Sequence, residues 1–174
     1  AVEIASEHQA TVEEIPSHAG KVSMVERRPL GVVTVISPWN FPLLLSSRGV
    51  AMALAVGNSV VLKPSEETPI SGGIVLAQAF EEAGGPAGVF NVITCSRDNV
   101  VAVGDELITN PHVKAIDFTG STAVGSQIGA KAGALFKKVC LELGGKDALI
   151  ILDDADMKTA VNAATFGCFM HQGQ

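Results

Sequence analysis

At 174 residues, with 47% hydrophobic and 17% charged side chains, the chain has the length and composition of one globular domain rather than a disordered segment. A net charge of -6 without a basic cluster, Arg27-Arg28 being too short to count, argues against a nucleic-acid surface. Residues 43–62 form the longest apolar region but are broken by Ser46, Ser47, Arg48, Gly57 and Asn58, so they make a poor membrane span, and the acidic start with Glu3, Glu7, Glu13 and Glu14 is unlike a signal peptide.

Residues 1–29 read as peripheral: 2–9 have the pattern of a helix, 16–20 are a turn cluster, and 21–28 alternate loosely enough for an exposed strand. From Leu30 the texture changes. The β-branched run 31–37, bounded by Pro38, predicts a buried strand, and 43–56 a helix stopped by Gly57-Asn58. A second strand follows at 59–63. Thr68 and Pro69 then supply an N-cap and a first-turn proline for a helix whose apolar positions include Ile70, Ile74, Leu76, Ala77, Phe80 and Ala83. Next come a strand at 89–94, a helix at 99–108, a strand at 113–118, and a helix opened by Gly120-Ser121-Thr122 and running to about 132. Strands at 138–142 and 148–152 and a helix at 154–170 complete the pattern.

Strand and helix alternate over short connections, which is the arrangement of right-handed βαβ units around an open, mostly parallel α/β sheet with helices on both faces. Residues 30–174 are expected to form that domain. Ligands of such sheets bind outside the carboxyl ends of the strands. The chemically distinctive residues fall there: Asn40 after the first strand, Lys63 and Glu66 after the second, Gly120 and Ser121 after the fourth, and Glu142 at the end of the fifth.

Each has a physical rationale and a plainer alternative. Glu142 lies between Leu141 and Leu143, where loss of water would suit a carboxylate to proton transfer; a solvated strand end would read the same. Gly120 to Gly125 joins strand to helix, so small residues and helix-start N–H groups favour an anion, although the spacing is that of neither a Rossmann fingerprint nor a P-loop. Lys63 and Glu66 form a cation and carboxylate pair able to hold two ribose hydroxyls, or else a surface ion pair; a carboxylate there would repel a 2′-phosphate. Asn40, between Trp39 and Phe41 in a loop stiffened by Pro38 and Pro42, is placed to donate to an oxyanion in a largely dry setting, or simply to stabilise a turn. Cys95, Cys140 and Cys168 are an odd number without metal-site spacing; they predict a reducing, cytosolic setting, each cysteine serving as a small buried hydrophobe.

Together these stretches resemble the aldehyde dehydrogenase superfamily over residues 30–174. The matches are Pro-Trp-Asn-Phe-Pro at 38–42, Lys-Pro-Ser-Glu at 63–66, Phe-Thr-Gly-Ser-Thr at 118–122, Leu-Glu-Leu-Gly-Gly-Lys at 141–146 and His-Gln-Gly-Gln at 171–174. The resemblance implies a Rossmann-like cofactor domain taking NAD, with NADP as the alternative. It implies Asn40 as the oxyanion-hole amide and Glu142 as the general base. Lys63 and Glu66 would meet the adenosine ribose, Gly120 and Ser121 the pyrophosphate, and Ser65 belongs to the cofactor lining. Ile36, Ser37, Pro38, Trp39, Asn40, Gly104, Phe118, Val124, Leu143 and Gly144 complete the cofactor lining so implied. The finer likeness is to the benzaldehyde and salicylaldehyde dehydrogenases. A small aldehyde and further copies of the same chain, as dimer or tetramer, are the implied partners.

Two departures qualify the match. The family's nucleophilic cysteine follows two positions after a Gly-Gln like Gly173-Gln174, where this sequence stops. The expectation is therefore a partial chain, without an initiator Met, that holds nucleotide but lacks activity alone; the alternative is a non-catalytic nucleotide-binding module ending at Gln174. In addition, Cys95-Ser96-Arg97-Asp98 stands where the family has a glycine-rich segment near the nicotinamide-side phosphates, leaving Gly104 as the surviving glycine.

Overall fold

The computed structural model describes residues 12–15 and 19–174; the helix read at 2–9 and the first part of the turn cluster at 16–20 lie outside them. The chain divides into two compact units, residues 1–144 and 145–174.

In the first unit, β1 (Val12–Ile15) and β2 (Ser23–Glu26) pair antiparallel as a two-stranded ribbon. The remaining strands are β3 (Val32–Ile36), β4 (Ser59–Lys63), β5 (Phe90–Val92), β6 (Val113–Thr119) and β7 (Lys138–Glu142). They form one parallel sheet in the order β5-β4-β3-β6-β7. The order reverses at β3, and that switch point is where a crevice opens at the strand ends.

The sheet is covered on both faces because its central strands are apolar on both. Val33, Val35, Val60, Leu62 and Phe90 pack with Val50 under α1 (Pro42–Ala55) and α2 (Val75–Glu82). Ile116, Phe118 and Val113 pack with Ile108 of α3 (Val100–Thr109) and Ile128 and Ala132 of α4 (Thr122–Ala134). Burying each such Val, Leu, Ile or Phe is worth about 1.5–3 kcal/mol, so the central strands are the anchor of the fold. α1 starts on Pro42 and ends where Gly57 takes a φ of +84°, a conformation natural to glycine. Asn58 then ties helix to strand: its Oδ1 accepts from Leu30 N (2.7 Å) and Gly31 N (3.1 Å), and its Nδ2 donates to Ala53 O (3.1 Å).

Several expectations need correction. The helix read from Pro69 does begin there, but its first turn, Ile70–Ile74, is π-helical before α2 proper. This turn packs closely against its neighbours: a Cβ on Gly73 would stand 2.8 Å from both Pro64 Cγ and Val92 Cγ1. Thr68 does not cap with its side chain, whose Oγ1 is buried without a partner; Thr68 O accepts from Gly72 N at 2.9 Å instead. Ile70 is exposed rather than part of the buried stripe, which is made by Leu76, Ala77 and Phe80.

In the second unit the strand expected at 148–152 does not form. A strand needs a neighbour for its ladder of hydrogen bonds, and Leu149, Ile150, Ile151 and Leu152 are all exposed without one. The expected helix is present as α5 (Met157–Phe169), starting three residues later than read, where the Asp156 carboxylate accepts from Thr159 N at 2.8 Å. Nor are the cysteines buried hydrophobes: Cys140 and Cys168 are exposed and Cys95 is half-buried. Cys140 lies on β7, the outermost strand of the sheet, and so has cover from one side only.

Candidate functional site

Strand register aligns the site. Ile36 pairs with Lys63 on one side and with Phe118 on the other, so β3, β4 and β6 end level. Glu142 pairs with Thr119 one strand further along, and Gly120 N donates to Glu142 O at 3.0 Å. The loops leaving these strands enclose two cavities of about 410 Å³ each. Pro38, Trp39, Thr119, Gly120 and Ser121 line both and form the wall between them.

The first cavity runs from the ends of β3, β4 and β6 into the gap between α3 and α4. Of the residues implied for the cofactor it collects Ile36, Ser37, Pro38, Trp39, Lys63, Ser65, Glu66, Gly104, Phe118, Gly120, Ser121 and Val124. Its apolar end, made by Val100, Val101, Ile108 and Ile128, was not read from the sequence. The signal was there: positions 100, 104 and 108 recur every fourth residue, one face of a helix. Lys131 and Asp105, also on this wall, form an ion pair that links α4 to α3.

Lys63 is only 4% exposed. Its ammonium donates to Pro64 O at 3.2 Å and stands 4.0 Å from Glu66 Oε2, arrangements that leave donor capacity toward the cavity. Glu66 Oε1 faces Arg97 Nε at 3.6 Å, and the same guanidinium pairs with Glu67. Ser37 is pinned by a 2.5 Å hydroxyl contact to the buried Ser46 of α1, which fixes the loop leaving β3. Ser121 caps α4, its Oγ accepting from Val124 N at 3.3 Å, with its own proton left for an anion. At Gly104 nothing lies within 4 Å of where a Cβ would stand, so the helix face is open to the cavity. A buried ammonium beside a carboxylate, a helix start and an apolar slot in one cavity fit a dinucleotide.

The second cavity holds the residues implied for chemistry: Asn40 and Glu142, with Arg48, Leu143 and Gly144. Gly125 explains how Leu143, next to Glu142, packs against α4: a Cβ there would overlap the Leu143 side chain. Asn40 Oδ1 accepts from Phe41 N at 3.1 Å, committing the carbonyl end of the amide to the turn. The dry settings expected for these two residues are not what the chain provides. Asn40 and Glu142 are both exposed, because β7 is the sheet edge and Trp39 beside Asn40 is itself 56% exposed. On the α1 face beneath them, Asp117 lies against the helix backbone, where a Cβ on Gly49 would be 2.6 Å from its Oδ2. Burial raises the Asp117 pKa above the usual carboxylate range; Arg48 opposes that rise and Glu142 adds to it. Burial likewise pushes the Cys140 thiol up, with Asp117 and Glu142 adding and Arg48 opposing.

Comparison with known proteins identifies the family. A vanillin dehydrogenase of Amycolatopsis sp. is 54% identical over 164 residues, 94% of this chain and 33% of that protein. The NAD(+) benzaldehyde dehydrogenase of Pseudomonas putida is 49% identical over 155 residues, 89% of this chain and 31% of that protein. The chain thus spans about a third of the length of these curated relatives. The crystal structure of a salicylaldehyde dehydrogenase from Pseudomonas putida G7 complexed with salicylaldehyde superposes with a TM-score of 0.92 at 44% identity, covering 99% of this chain and 35% of that one. The family profile described as the aldehyde dehydrogenase family matches residues 1–174, and the chain belongs to that family.

Proposed function

We propose that the protein containing this chain oxidises an aldehyde of the aromatic class to its carboxylic acid with NAD, through a thioester on a cysteine that follows Gly173-Gln174. The observation that carries the proposal is the pair of cavities divided by Pro38-Trp39 and Gly120-Ser121, with Lys63, Glu66 and the start of α4 on one side and Asn40 with Glu142 on the other. The named activities of the vanillin and benzaldehyde relatives support the aromatic class and the choice of NAD.

When bound, NAD supplies the hydride acceptor. Lys63 and Glu66 hold the adenosine ribose, and Ser121 with the start of α4 faces the pyrophosphate. Pro38-Trp39 and Gly120-Ser121, which line both cavities, would separate the bound nucleotide from the groups of the second cavity. There the Asn40 amide donates to the oxygen that gains charge when a thiolate adds to the aldehyde. Glu142 takes a proton from the water that cleaves the thioester, which returns the thiolate and releases the acid. This step separates hydrolytic aldehyde oxidation from acyl transfer to CoA.

Residues 1–174 alone are proposed to bind nucleotide without turning over aldehyde. Assembly of further copies as a dimer or tetramer is part of the same proposal, and so is a cytosolic location; among the described residues no helix is long and apolar enough to cross a membrane. The test is to assay the full-length protein with vanillin, benzaldehyde, salicylaldehyde and an aliphatic aldehyde, following NADH formation. Faster turnover of the aromatic substrates is expected, and turnover of aldehyde by residues 1–174 alone would overturn the proposed role of the later cysteine.

A further inference from the structure

Beside the second cavity the chain carries an acid that the proposed chemistry does not use. Asp117 on β6 pairs in register with Cys140 on β7, and Thr119 pairs with Glu142 two positions further along. Side chains two apart on a strand share a face, so Asp117, Cys140 and Glu142 lie on one side of the sheet. That side is the one under α1, because a Cβ on Gly49 would stand 2.6 Å from Asp117 Oδ2. Arg48, the neighbour of Gly49, lines the second cavity together with Asn40 and Glu142. The charged and titratable groups around Asp117 are therefore Arg48 from α1 and Lys138, Cys140 and Glu142 from β7; from β3 it meets the apolar Val35. Among the described residues neither Asp117 nor Arg48 forms a salt bridge. A half-buried carboxylate without such a partner costs stability that an apolar residue would not, so the fold gains nothing from an acid here and its use lies at the site.

We propose that Arg48 is a countercharge shared by Glu142 and Asp117, and that Asp117 is a positioning residue that balances Arg48 so that Glu142 can take a proton from water and return it in each turnover. The inference rests on the reading of Glu142 as the base that cleaves the thioester. With both carboxylates ionised, Arg48, Asp117 and Glu142 carry one negative charge in total. The trio becomes neutral when water gives a proton to Glu142 while its oxygen adds to the thioester carbonyl, and it regains the charge when that proton passes to solvent. Without Asp117 the trio starts neutral and has to become positive, which opposes proton uptake. Without Arg48 it starts with two negative charges, which holds the proton on the resting base. The surroundings of Asp117 agree with this coupling: burial chiefly raises its pKa, Arg48 opposes the rise and Glu142 adds to it. Such an interaction is mutual, so a proton gathered at Glu142 is felt at Asp117 and the reverse. The Cys140 thiol between them responds to the same three groups after burial itself.

The experiment follows release of the acid after the burst of reduced cofactor, as a function of pH, in the full-length protein. The variants are Asp117→Asn, Arg48→Gln, Arg48→Lys and the double variant Asp117→Asn/Arg48→Gln. Removing one nearby charge is expected to move the acid limb of the profile by about half a pH unit or more. The limb should move to lower pH in Asp117→Asn, with slower release on the plateau, and to higher pH in Arg48→Gln. The double variant should return close to the native limb, because the two removed charges cancel. Arg48→Lys keeps the cation and should keep the native profile. A residue that only supports the fold would lower the rate at every pH and leave the limb in place. That result, or limbs that move in the same direction in the two single variants, overturns the proposal. Glu142→Gln separates this failure from that of the underlying reading. If it releases acid as fast as the native protein, Glu142 is not the base and the proposal falls with that reading; if it is slow while the limbs of the single variants stay in place, the reading stands and the proposal alone fails.

Discussion

On the nucleotide side of the crevice the key cation, Lys63, is buried under its own loop and walled by β3, β4, β6, α3 and α4. On the reaction side, within residues 1–174, Asn40 and Glu142 are exposed, and what positions them in this segment is strand register and the turn after β3. A buried ammonium is costly unless something compensates it, so its position already implies an anionic ligand or partner. An exposed carboxylate implies no such ligand. The nucleotide side thus sets a buried cation beside a carboxylate of its own, whereas the reaction side declares its chemistry only through which groups share a cavity.

The largest expected effect tests the weaker side of that contrast. In the full-length protein Glu142→Gln should lower steady-state turnover by about a hundredfold or more, the usual size of a general-base contribution. Stopped-flow measurement should still show a burst of reduced cofactor, because hydride transfer precedes the step that needs the base. Unchanged steady-state turnover would remove Glu142 from the mechanism.

Lys63→Met sharpens the other side. Nucleotide affinity by calorimetry should fall about ten- to a hundredfold, since a charged hydrogen-bond donor is lost. The melting temperature of the nucleotide-free protein should hold or rise, because a buried charge is replaced by an apolar side chain of similar length. A loss of both would mean that Lys63 serves the fold and not the ligand.

The same contrast explains what the sequence made legible. The β-branched strand runs, Pro69 at a helix start and Gly57 at a helix end are local signals, and the elements they mark formed within a residue or two. The motif residues were legible because each sits at a strand end, and register then brought them together. What failed depended on neighbours. The run at 148–152 has strand composition but no partner strand, and the apolar setting expected for Glu142 required cover on both sides of an edge strand. The pairing of Arg97 with Glu66 spans 31 positions, from 66 to 97, across a β-strand and a helix, and no local pattern announces it.

Two glycines separate fold from site at a finer scale. Gly73→Ala should cost about 1–3 kcal/mol in a denaturant melt, because the added methyl must displace Pro64 or Val92. Moving Pro64 also disturbs the Lys63 loop, so affinity should fall with stability. Gly104→Ala meets no atom within 4 Å and should raise stability by up to about 1 kcal/mol as a helix-interior replacement. Its methyl enters the nucleotide cavity, so affinity should drop while stability rises.

The smallest effect lies under the reaction side, at Asp117. Its folded pKa is raised, chiefly by burial, so between the unfolded and folded values the native state holds the proton more firmly than the unfolded chain does. Stability from this residue is therefore greatest at acid pH and declines as pH rises from the unfolded carboxylate value through the folded one. Asp117→Asn removes the titration. The melting temperature of the variant relative to the native protein should climb over that acid window and then level off. Arg48→Met should do the reverse: without the opposing cation the folded pKa rises further, and the native decline extends to higher pH. If the two variants gave parallel pH profiles, Arg48 would not act on Asp117, and the charges beneath Glu142 would be independent neighbours rather than one coupled group.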